Sequence, residues 1–91
     1  MDIQDLIVNE LFNNKSLAAL IFLIDHGREL EFKMNGKDCF ISCAGSKKYV
    51  SLWDNKNEQS FDSVLELIAY GTIENMSFLT AWEQVELGYL Y

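Results

Sequence analysis

The chain has 91 residues, 49% of them hydrophobic, with 14 acidic against 7 basic side chains and a formal net charge of -7. That supplies one core, and 6 Phe, 4 Tyr and 2 Trp are too many aromatics for a disordered acidic tail. The charge is segregated: every Lys and Arg lies between Lys15 and Lys56, leaving acidic ends that repel nucleic acid and anionic membrane and attract basic surfaces.

A single acidic α+β domain over 1–91 is expected. Ile3, Leu6, Ile7 and Leu11 recur at helical spacing, with Asp2 as N-cap and Asp5 in the first turn. Asn13-Asn14-Lys15-Ser16 breaks this helix, and Ser16 caps a second one. Leu17 to Ile24 is apolar all round until His26-Gly27 ends it. Its covering is left open between the sheet, the other helices and a second copy of the chain. Eight residues fall short of the ~20 of a membrane span, and without a basic stretch before it no leader is read, so a cytoplasmic protein with reduced thiols is expected.

Leu30, Phe32 and Met34 then alternate with Glu29, Glu31 and Lys33, and Asn35-Gly36 is a two-residue hairpin signal. Counting back from the turn pairs Phe32 with Cys39, Leu30 with Ile41, Lys33 with Asp38 and Glu31 with Phe40. A second turn around Gly45-Ser46 pairs Ile41 with Val50 and Cys39 with Leu52 in a third strand, Lys48 to Trp53. The expected sheet is a three-stranded antiparallel meander. Its apolar face meets the core, and its other face carries Phe40, Tyr49 and Trp53 among charged and hydroxyl side chains. Either a helix covers that cluster or it is a binding surface.

Asp54 to Gln59 reads as a polar turn. Phe61, Val64, Leu65, Ile68 and Ala69 trace a third helix, capped near Ser60 or Asp62 and closed by Gly71, with Asp62 and Glu66 on one flank. Phe78, Ala81, Trp82 and Val85 mark a last helix that Gly88 ends, with Glu83 and Glu86 on its polar side. The order is two N-terminal helices, the meander and two C-terminal helices.

Catalytic signatures are missing. The single histidine, His26, stands at a helix end, where an imidazolium meets the dipole. Cys39 and Cys43 share one strand face about 13 Å apart, too far for a disulfide or a shared metal, and read as core residues. Neither a Gly-rich phosphate loop nor a nucleophile elbow is present. No enzyme, metal or cofactor is expected.

The segments GRELEFKMNGKDCFIS, YVSLWD, SFDSVLELI and SFLTAWEQVE resemble small uncharacterised proteins of low-GC Gram-positive bacteria and their prophages, which share an EFxxNGKxxxIS hairpin and an aromatic third strand. That resemblance implies a fold and carries no activity. In size and charge the chain is also similar to small acidic inhibitors: anti-CRISPR proteins, toxin-immunity proteins and some antitoxins. The similarity implies a protein inhibitor, phage-encoded, that occupies the basic groove of a nucleic-acid-binding protein such as a CRISPR nuclease. Asp62, Glu66, Glu83 and Glu86 are the expected charged contacts, with Tyr49 and Trp53 as anchors; the same carboxylates also read as solvated helix faces. The alternatives are a structural or adaptor domain that forms a homodimer through Leu17–Ile24, an immunity or antitoxin-type protein, and a thiol-dependent metal or redox protein using Cys39, Cys43 and His26.

Overall fold

The computed structural model describes residues 2–43 and 49–91. Asp2 accepts the Asp5 N–H at 3.2 Å and starts α1 (Ile3–Asn14), which ends where Lys15 turns left-handed at φ 50°. Ser16 caps α2 (Leu17–Asp25) by accepting the Ala19 N–H at 3.1 Å. Both caps satisfy helix donors that have no partner within the helix. The apolar stripe read on α1 is only partly inside: Leu11 is fully buried, whereas Ile3 is 71% and Leu6 52% exposed. In α2, Ala19, Leu20, Leu23 and Ile24 are buried, and Leu17, Ile21 and Phe22 pack partly against them.

The strands β1 (Leu30–Met34) and β2 (Lys37–Cys43) meet in the register counted from Asn35-Gly36, both of which have positive φ. From there the expected meander is corrected. The sheet has five antiparallel strands rather than three, in the order β4-β3-β2-β1-β7. β3 (Val50–Asp54) pairs Ile41 with Leu52 and Cys43 with Val50, two residues away from the expected register. A slip of two leaves every side chain on its expected face, so alternation does not distinguish the two registers. The turn expected at Gly45-Ser46, and Lys48, lie outside the described residues.

The expected polar turn at Asp54 to Gln59 is instead a hairpin into β4 (Asn57–Phe61), with Asn55 at φ 59°. Phe61 therefore belongs to a strand. α3 (Val64–Tyr70) begins later, capped by Ser63, whose Oγ accepts the Glu66 N–H at 3.1 Å. A two-residue ribbon, β5 (Thr72–Ile73) with β6 (Met76–Ser77), leads into α4 (Phe78–Trp82).

The long last helix is also corrected. α4 stops at Trp82, and β7 (Glu86–Leu90) runs antiparallel beside β1. The pairing shifts between Phe32–Leu87 and Glu31–Tyr89, so Gly88 is the extra residue of a β-bulge. A Cβ at Gly88 would stand 2.9 Å from the Glu31 carbonyl oxygen, so the bulge needs a residue without one. The bulge leaves the inward Leu87 and Leu90 three residues apart, a spacing that imitates a helix.

All four helices of the described residues bring their buried side chains to one side of the sheet. Leu11, Leu20, Leu23, Val64, Leu67, Phe78 and Trp82 share one cluster with Leu30, Phe32, Met34, Ile41, Val50, Leu52 and Leu90. Each such aliphatic or aromatic side chain contributes about 1.5–3 kcal/mol on burial, which fixes the helical layer on that face. The other face of the sheet is thereby left to carry polar and aromatic side chains.

Candidate functional site

One cross-strand ladder runs over the uncovered face and crosses every strand of the sheet. Tyr89 stands opposite Glu31, Glu31 opposite Phe40, Phe40 opposite Trp53 and Trp53 opposite Glu58. Directly opposed side chains are in contact range, so the five form a continuous band. Tyr91, just past β7, joins the band edge-on to Phe40 at 5.8 Å between ring centroids and tilted against Tyr89 at 4.7 Å. Tyr89 and Tyr91 remain 59% and 54% exposed, so neither ring is used up by the core.

Hydrogen bonds hold this band in place. The Tyr91 hydroxyl donates to Glu31 Oε2 at 2.7 Å, and the Trp53 indole N–H donates to Ser42 Oγ at 3.2 Å. Ser51 donates to Glu58 Oε2 at 2.6 Å and is itself 3% exposed beneath that carboxylate. The bond to Glu31 raises the Tyr91 phenol above its ordinary value, so the phenol stays protonated and donating.

Among the described residues the charge of the face is one-sided. Its strand residues include Glu31, Asp38, Glu58 and Glu86, and among them Lys33 is the one cation. Lys33 reaches Asp38 at 3.8 Å, a loose exposed pair. Aromatic rings among carboxylates that outnumber the one cation suit lysine and arginine side chains, which bind both.

The expected contact residues divide between this face and the rest of the molecule. Trp53 lies at the centre of the band, and Tyr49 is half-buried immediately before β3. Glu86 begins β7 opposite Lys33, on the same face, and not on a helix. Glu83 is the exposed C-cap of α4. Asp62 directly follows β4, the opposite edge strand, and Glu66 is in the first turn of α3, where its Oε2 accepts the Asp62 N–H at 3.1 Å and helps close the start of that helix. Strands about 4.8 Å apart put about 19 Å between the β4 and β7 edges, so the two acidic pairs are separate features. Glu58, Tyr89 and Tyr91 escape the sequence reading because their strands do; the Tyr89-Leu90-Tyr91 alternation is the available signal.

Groups with chemical potential elsewhere are occupied structurally. His26 caps α2, with Nδ1 2.7 Å from the Phe22 carbonyl oxygen and its ring stacked on Phe22 at 4.0 Å. Cys39 and Cys43 are free thiols on the core side, and burial pushes both above their ordinary value, which suppresses the thiolate. Among the described residues no group of His, Cys, Asp and Glu is placed to hold a metal, and no helix is long and apolar enough to cross a membrane.

No protein-family model matches the chain, and no curated protein or solved structure matches it significantly.

Proposed function

We propose that the chain is a non-enzymatic binding protein that docks the uncovered face of its sheet onto a basic surface of a nucleic-acid-handling protein and blocks it. The observation that carries this reading is the ladder Tyr89–Glu31–Phe40–Trp53–Glu58, flanked by Asp38 and Glu86. Carboxylates steer a basic partner and set the association rate, while Trp and Tyr side chains supply contact area that slows dissociation. A groove built for nucleic acid presents the Lys and Arg side chains that such a face accepts. An RNA-guided CRISPR nuclease is the partner class suggested by the chain's size and acidity.

The test is a DNA-binding assay with a purified CRISPR nuclease loaded with its guide, read by fluorescence anisotropy with increasing amounts of the protein. Loss of DNA binding that is relieved by salt, and that Trp53→Ala weakens at least tenfold, supports the reading. Undiminished DNA binding at high excess rejects that partner class. Inhibition indifferent to Trp53→Ala rejects the face.

A further inference from the structure

On the uncovered face a cleft of about 280 Å³ is lined by Glu31, Asp38, Cys39, Phe40, Trp53 and Asn55. That is at the small end of the roughly 300–1,000 Å³ usual for small-molecule sites, and it is room enough for one side chain of a partner. Two aromatic residues and two carboxylates contribute to its walls, and among the described residues no Lys or Arg does.

We propose that this cleft is a receptor for a single arginine side chain of the partner, with Phe40 and Trp53 stacking on the guanidinium and Glu31 and Asp38 accepting its N–H donors. The inference rests on the basic-partner reading and makes it specific. The acceptors come from different strands, Glu31 from β1 and Asp38 from β2, while Asn55 follows β3. A guanidinium presents five donors in a rigid plane and can address separated acceptors while lying against an aromatic ring, whereas an ammonium is a compact point charge. Glu31 is fixed as an acceptor, because the Tyr91 hydroxyl occupies Oε2 and leaves the other oxygen to accept. The backbone at Asp38 is fixed, its carbonyl accepting the Asn55 N–H at 3.0 Å, and the Asp38 carboxylate stands exposed above it. The Lys33 ammonium, 3.8 Å from Asp38 Oδ1, lies beyond hydrogen-bond distance and is displaceable.

The test uses the full ¹⁵N-labelled chain titrated with N-acetyl-arginine amide, N-acetyl-lysine amide and the uncharged isostere N-acetyl-citrulline amide. The arginine derivative is expected to move the Trp53 indole resonance and the amides of Asp38, Phe40 and Asn55 saturably. The lysine derivative should bind at least threefold more weakly, and citrulline should leave the spectrum unchanged. Asp38→Asn, at an exposed position, should weaken the arginine derivative by about two- to fivefold. Trp53→Leu should abolish the shifts while the rest of the spectrum stays folded.

Equal response to lysine and arginine overturns the arginine receptor and leaves a generally basic partner standing. Saturable arginine binding by a chain that blocks no nucleic-acid-binding protein supports the receptor and defeats the functional reading. Shifts confined to other residues, or none, overturn the receptor.

Discussion

Lys15 and Trp82 hold each other by hydrogen bonds in both directions: the Lys15 ammonium donates to the Trp82 carbonyl at 3.3 Å, and the Trp82 indole donates to the Lys15 carbonyl at 2.9 Å. The same ammonium reaches the carbonyl oxygens of Glu83 and Val85. One side chain from the α1–α2 junction thus terminates α4 and frees the chain to enter β7. A cation at a helix C-terminus also meets the negative end of the dipole.

Lys15→Met keeps the aliphatic stem and removes these bonds, and it should cost about 1–3 kcal/mol in urea unfolding. Lys15→Gly relieves the left-handed backbone but also removes the ammonium, so it should recover no more than part of that loss. Full stability of Lys15→Met would show that α4 ends for another reason.

Gly88→Ala places a Cβ 2.9 Å from the Glu31 carbonyl, and Gly71→Ala places one 2.5 Å from the Leu67 carbonyl and 2.9 Å from Leu52 Cδ2. Each should destabilise by about 1–3 kcal/mol through overpacking. The Gly88 variant should in addition increase hydrogen exchange across β7 and β1. Exchange unchanged in both strands would deny the bulge its role.

The last helix and the polar turn mislead a sequence reading for reasons that lie in particular residues. Asn57 to Phe61 contains no β-branched residue, so β4 forms from pairing with β3 rather than from local preference. At β7 the bulge at Gly88 hides the two-residue period, and the interaction that stops α4 comes from Lys15, far away in sequence. What is legible is local: the Asp2 and Ser16 caps, the Asn35-Gly36 hairpin with its register, and Phe40 and Trp53 on the face opposite the core. The acidic surface is not legible, because charge order along the chain does not say which carboxylates become neighbours in a sheet.

The raised Cys39 and Cys43 thiols set a pH dependence. Burial is the first cause at both, and it disfavours the thiolate in the folded state. The unfolded chain releases these protons from about pH 9, while the folded chain keeps them to higher pH. Their contribution is therefore complete below pH 9 and is lost as pH rises above it. Urea unfolding at pH 8 and pH 10 should show a smaller loss for Cys39→Ala/Cys43→Ala than for the native sequence. Alkylation at neutral pH should be slow until urea opens the core.

Glu66 closes the start of α3, so Glu66→Lys should lower stability by about 0.5–2 kcal/mol without weakening partner binding. Glu86→Gln should have the opposite profile. Stability should change by no more than about 0.5 kcal/mol for Glu86→Gln, at an exposed strand position, while association slows and its salt dependence weakens. Stopped-flow association at two salt concentrations separates the two outcomes.

The most direct test of the uncovered face is quantitative capture from a bacterial lysate containing a CRISPR nuclease, with proteins eluted by rising salt and identified by mass spectrometry. Three baits are compared: the native sequence, Trp53→Ala combined with Glu86→Gln, and Asp62→Lys. One basic nucleic-acid-binding protein should be recovered equally by the native and Asp62→Lys baits and lost from the bait altered on the sheet face. Recovery that survives the sheet-face changes and fails with Asp62→Lys would contradict docking through that face.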